Sequence, residues 1–222
     1  MTTAGWQRRA PWSGIAFVVL LVVGFGLATS GPDPGKDSVA TFHAFWSDSA
    51  NRVHILMGAY FLVAAAIAFV GFAAGLWCSV SARGGGGVWV LLTAGIFATF
   101  LALGGVLFAW DAGDIAFGNT PVPSGDILRE NSQLPFPILL VPGAISAGCF
   151  LVAASLLGAR HALLPRWLTI AGYVAAILML GAVVFIPFLA LPLWMLLASI
   201  TLLVRGTKGA AAERSPMAPT TS

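Results

Sequence analysis

The chain has 222 residues, of which 59% are hydrophobic and 9% charged, against about 45–50% and about 25% in ordinary soluble domains. A composition this apolar excludes a soluble globular fold and places the chain in a bilayer. The net charge of +3 and the pI near 9.3 do not point to nucleic acid, because the basic residues are few, scattered and next to apolar runs, with no aromatic–basic interleaving.

No Asp, Glu, Lys, Arg or His occurs in 10–32, 55–82, 84–110, 131–159 or 167–204. The last run, 38 residues long, exceeds one crossing of a ~30 Å core at ~1.5 Å per residue. It reads as two helices joined near Pro187-Phe-Leu-Ala-Leu-Pro192. The expectation is an all-α membrane protein, a single six-helix transmembrane bundle over residues 1–205. Its spans are predicted at about 12–30, 53–79, 88–110, 136–158, 168–186 and 188–204, followed by a disordered tail over 206–222 rich in Ala, Pro, Ser and Thr.

In chain order, the first span follows Arg8-Arg9 and ends near Ala28-Thr29-Ser30, a pattern shared with cleavable signal peptides, although the run from Trp12 is long enough to span. Gly31-Pro-Asp-Pro-Gly35 is a turn cluster. After it Val39, Phe42, His43 and Trp46 recur at helical spacing, which predicts a short helix on the outer interface. Gly71-x-x-x-Gly75 and Gly104-Gly105 allow close helix approach, within the chain in preference to between copies. The 111–135 loop is expected to hold a helical turn around Asp126–Asn131. Pro142-Gly143 and Pro192 predict kinks in the fourth and sixth spans. Leu164-Pro-Arg-Trp-Leu168 is an entry signal for the fifth, with proline suited to a first helical turn and Trp167 to the interface.

Orientation follows from the basic residues. With the N-terminus cytoplasmic, the inner face carries Arg8, Arg9, Arg83, Arg160, Arg166, Arg205, Lys208 and Arg214, and the outer face Lys36, Arg52 and Arg129. That distribution obeys the positive-inside rule. Seven of the eight acidic residues fall outside, so the outer loops carry a balance of −4. Trp12, Trp77, Trp89 and Trp167 near inner ends and Trp46 and Trp110 near outer ends form the expected aromatic belts, with Trp194 the exception.

Few side chains carry chemistry. In Asn51-Arg-Val-His54, Asn51 and Arg52 read as a cap and anchor of the second span, Arg52 reaching headgroups, while His54 bonds a neighbouring loop. The sharper alternative is an outer-face cluster of Arg52, His54, Asp111 and Asp114. The two aspartates are three apart at the outer end of the third span, where a helix C-terminus disfavours carboxylates. An arginine or a divalent cation, with His43 as a further ligand, would compensate. No HExxH-type motif supports a metal, no cofactor is implied, and Cys78 and Cys149 lie at different depths and read as small buried hydrophobes.

Phe45-Trp46, Asn51-Arg52, Gly58-Ala59-Tyr60, the Pro142-Gly143 span and Leu164-Pro-Arg-Trp-Leu168 together resemble an uncharacterised family of small bacterial integral membrane proteins. The resemblance covers roughly residues 12–205. It implies a six-helix membrane protein of unknown function and carries over no catalytic residue.

The expected role is a structural or accessory component of the cytoplasmic membrane or of a membrane complex, partnered by the lipid bilayer and by other membrane subunits. The alternatives are a permease for a small or lipophilic substrate, which needs a cavity leading to both faces, and an outward-facing metal-dependent enzyme using His54, Asp111 and Asp114. A haem protein is disfavoured because the three histidines sit at span ends and in loops.

Overall fold

The computed structural model describes residues 3–81, 86–117, 121–181 and 186–213. Among them all regular structure is helical: α1 (Thr3–Ala28), α2 (Val39–Ser47), α3 (Ser49–Ser81), α4 (Val88–Phe108), α5 (Trp110–Phe117), α6 (Gly125–Asn131), α7 (Pro135–Ile138), α8 (Ala144–Arg160), α9 (Arg166–Met179) and α10 (Ala190–Glu213). Five stretches are long and apolar enough to cross a membrane: Ala10–Ala28, Ser49–Ser81, Val88–Phe108, Gly125–Arg160 and Pro187–Arg205. The chain is therefore a multi-pass helical membrane protein. Where a fifth span over 168–186 was expected, α9 has 14 residues, about 21 Å of helix. Gly148 packs on Ala176 and Met179, so α9 ends against the middle of the Pro135–Arg160 run.

The long helices close a ring in which α1 packs on α3 and α10, α3 on α4, α4 on α8, α8 on α9, and α9 on α10. Aromatic rings fill its axis. Phe17, Phe69, Phe97 and Phe150 are fully buried, and the Phe69 ring lies 5.0 Å from Phe17, 4.7 Å from Phe97 and 4.6 Å from Phe150. These tilted and edge-on arrangements suit ring quadrupoles. Trp194, the exception to the belts, is buried beside Phe150, and its Nε1 donates to the Leu168 carbonyl at 3.0 Å.

Small residues bring the helices together within the chain, as expected. A Cβ on Gly58 would lie 2.6 Å from the Ala28 nitrogen, one on Gly71 2.6 Å from Ser13 Oγ, and one on Gly104 2.6 Å from the Leu139 side chain.

The prolines act differently from one another. Pro142 lies in a π-helical turn, Leu139–Gly143, that joins α7 to α8. A proline there has no N–H for the preceding turn, and one widened turn accommodates the loss. Pro192 was expected to kink its helix, but it stands in the first turn of α10 after a 3₁₀ turn, Ile186–Leu189. Its missing N–H costs nothing there. α10 itself runs on to Glu213, into the segment expected to be disordered, where Ala210-Ala-Ala-Glu213 supplies good helix formers. Residues 214–222 of that predicted tail, 182–185 of the predicted fifth span, 82–85 between α3 and α4, and 118–120 of the 111–135 loop lie outside the described residues.

α8 ends in a Schellman-type turn. The Leu163 N–H donates to the Gly158 carbonyl at 3.0 Å across Ala162, which has φ 51°. A left-handed conformation is disfavoured for a residue with a Cβ, so Ala162→Gly should stabilise the fold by roughly 0.5–1 kcal/mol. A higher midpoint in detergent thermal unfolding checks it.

Candidate functional site

α2 lies across one end of the bundle, and the opening of α3 shows why. Asp48 ends α2 and starts α3, its Oδ1 accepting from the Ala50 N–H at 2.9 Å. Asn51 Nδ2 then donates to the Phe45 carbonyl at 3.1 Å, and the Arg52 guanidinium donates to the Trp46 carbonyl. Both polar side chains bond carbonyls in the last turn of α2, Asn51 sharing the Phe45 carbonyl with the Asp48 N–H that caps the helix. Arg52 is thus a tie between two helices.

Phe42 and Trp46 face inward and pack with Ile55, Ala59, Ala109, Ala112 and Leu128 in a second hydrophobic cluster. Trp46 is 5% exposed, a correction to its expected place in an interfacial belt. α6 closes the cap from the other side, Arg129 Nε donating to the Pro34 carbonyl at 2.7 Å, and Gly125 lies directly against the Val39 carbonyl.

Beneath this cap is a cavity of about 390 Å³, within the ~300–1,000 Å³ range of small-molecule sites. The end of α1 and the loop after it line one side, Phe42 and Trp46 the roof, and Ile55, Leu107, Phe108 and Phe136 the floor and far wall. Asp111, Asn131 and Ser132 supply polar groups. Asp111 is 6% exposed and its Oδ1 accepts from Asn131 Nδ2 at 2.8 Å. Burial pushes its carboxyl above the ordinary value of 3.8, with the nearby Asp114 adding to the rise and the Asn131 hydrogen bond opposing it. Trp46 Nε1 is buried and has no hydrogen-bond partner among the described residues.

α4 ends at Phe108 and a new helix begins at Trp110, so Asp111 stands in the first turn of α5. The expected conflict with a helix C-terminus is therefore corrected, because a first-turn carboxylate is favoured by the dipole. Of the four residues predicted to cluster, Asp111 faces the cavity and Arg52 ties α2 to α3. His54 is exposed on α3. Asp114 is exposed and lines a separate groove with Tyr60 and Trp110. Among the described residues no group of three or more His, Cys, Asp or Glu side chains is placed to hold a metal. Cys78 and Cys149 are free thiols, Cys78 half-buried and Cys149 exposed, so neither is fully buried as expected.

Sequence reasoning missed Asn131 and the inward aim of Trp46. The four-residue spacing of Phe42 and Trp46 marked a common face, and only the packing of α2 on α3 and α6 shows where that face points. A larger cavity, about 750 Å³, lies between α4, α8 and α9, with Trp89, Tyr173 and Arg160 among its walls. It presents no fully buried polar side chain to select a ligand. The chain matches no protein-family model, no curated protein and no solved structure in the comparisons made with each.

Proposed function

We propose that the chain is a six-span protein of the cytoplasmic membrane, with the residues before α1 and after α10 on the cytoplasmic side, and that it serves a membrane complex as a non-catalytic accessory component whose outward end binds without reacting. The charge bias supports this sidedness, with eight basic residues at one end and three at the other. The packing of α9 on α10 supports the six-span reading, since the sequence between them, 180–189, is free of charge. The resemblance to small six-helix bacterial membrane proteins fits the same picture.

One observation carries the non-catalytic reading. The buried polar groups lining the cavity are the Asp111 carboxyl and the Trp46 indole, with Asn131 half-buried beside them. The lining hydroxyls of Thr29 and Ser132 donate to the Phe25 and Arg129 carbonyls and not to a base, so the described lining holds a ligand without a nucleophile–base pair. The metal-dependent alternative has less support because His54 and Asp114 are exposed on other faces. The permease alternative has less because fully buried phenylalanines occupy the bundle axis.

Native mass spectrometry of the protein gently extracted from its own membrane, with metal analysis of the same sample, tests the proposal. Other membrane subunits at fixed stoichiometry are the expected result. A lone chain carrying stoichiometric divalent metal overturns it.

A further inference from the structure

The cavity under α2 combines features that select a particular charge. Four aromatic side chains, Phe42, Trp46, Phe108 and Phe136, contribute to its lining, together with Asp111 and Asp33, and no lysine or arginine is among the described lining residues. Lys36 Nζ lies 3.0 Å from Asp33 and already pairs that carboxylate, and Arg129 Nε is on the Pro34 carbonyl, which leaves Asp111 as the lining carboxylate with no ion pair among the described residues. Aromatic faces attract cations, most strongly where water is excluded. A buried carboxylate, with one oxygen on Asn131 and lone pairs to spare, calls for a positive partner. The Trp46 N–H, buried and unpaired among the described residues, adds a demand for a hydrogen-bond acceptor.

We propose that this cavity binds an organic ammonium group, a primary amine or quaternary ammonium, that carries a hydrogen-bond acceptor a few bonds away. The cation lies among the aromatic rings against Asp111, and the acceptor takes the Trp46 N–H. The acidic balance of the surrounding loops raises the local concentration of cations. The same chemistry is offered by a free small amine and by the headgroup of an ethanolamine or choline phospholipid. The inference rests on the binding reading above only in taking this cavity as the working end. Missing partner subunits would sink the accessory role with ammonium binding intact, and missing ammonium binding would do the reverse.

The test is isothermal titration of the full chain in phosphatidylglycerol nanodiscs with choline, with tetramethylammonium, which lacks the acceptor, and with 3,3-dimethylbutan-1-ol, the uncharged isostere of choline. Choline should bind saturably and the isostere about tenfold or more weakly. Trp46→Phe keeps a ring and removes the N–H, so it should bring choline down towards tetramethylammonium. Asp111→Asn should weaken both cations by about tenfold or more. Nanodiscs containing phosphatidylcholine distinguish the source: competition against choline assigns the site to the lipid headgroup, and unchanged affinity assigns it to a free amine. Equal binding of choline and its isostere overturns the proposal, and that comparison needs no variant. No saturable binding of either cation in phosphatidylglycerol discs, or full choline affinity in Asp111→Asn, overturns it as well.

Discussion

Replacing Gly58 by leucine should leave no folded protein to purify. A Cβ at Gly58 would stand 2.6 Å from the Ala28 nitrogen, 2.9 Å from its Cα and 3.0 Å from the Gly24 carbonyl oxygen. All three are backbone atoms of α1, so no rotamer change makes room. Gly24 faces the same contact from the other side, a Cβ there lying 3.0 Å from the Leu62 nitrogen. The two helices meet backbone to backbone, the packing by which small residues hold membrane helices together where burial from water contributes nothing. Ordinary overpacking costs about 1–3 kcal/mol. Here the added side chain must also push α1 off α3, which parts Phe17 from Phe69 and opens the aromatic axis. Against a typical stability of ~5–15 kcal/mol, that loss is decisive. Gly26→Leu is the matched control, because a Cβ at Gly26 meets nothing within 4 Å. Size-exclusion chromatography and thermal unfolding in detergent should show aggregation for Gly58→Leu, a lowered midpoint for Gly58→Ala, and near-wild-type behaviour for Gly26→Leu. If the two leucine variants behaved alike, the α1–α3 contact described here would be wrong.

Why some features could be read from the sequence and others could not has a physical basis. The membrane-length helices were visible because a charge is costly in hydrocarbon, so its absence over 18 or more residues marks a crossing without reference to any partner. α2 was visible because Val39, Phe42 and Trp46 repeat at the helical period. Their burial was not, since a period defines a face and not what the face meets. The charge-free run over 167–204 concealed both the early end of α9 and the placement of Pro192, because hydropathy is blind to where a helix starts inside an apolar stretch. The aspartate pair shows the limit most clearly. Residues three apart on a helix sit about 60° from one another, which is close enough to suggest one cluster and wide enough for Asp111 to face a cavity while Asp114 faces outward. Asn131, the group that fixes Asp111, comes from a different helix 20 positions away, and no spacing rule in a single sequence connects the two.

Asp111→Asn should fold, and at neutral and alkaline pH it should unfold at a higher temperature than the wild type. The asparagine keeps an Oδ1 to accept from Asn131 Nδ2, so the hydrogen bond across the cap survives. What disappears is the cost of holding a charge on a buried side chain. Burial is the main cause of the raised carboxyl pKa, the Asp114 charge adds to it, and Asn131 only partly offsets them. The sign follows from linkage. In the window between the unfolded value and the raised folded value, the folded protein binds more protons than the unfolded chain, so stability falls as pH rises. Below the ordinary aspartate value near 3.8 the carboxyl is protonated in both states and the penalty vanishes. The wild type should therefore gain stability relative to Asp111→Asn as pH falls through the folded value, and the gap between their midpoints should close at the acid end. Thermal unfolding of both proteins from pH 8 down to about pH 4 measures that gap directly. A constant gap would mean that Asp111 is solvated in the folded protein. A gap of opposite sign would mean that a cation already offsets the charge, and adding choline to the wild type at pH 8 should then enlarge the difference, because a ligand that binds only the folded state raises its unfolding midpoint.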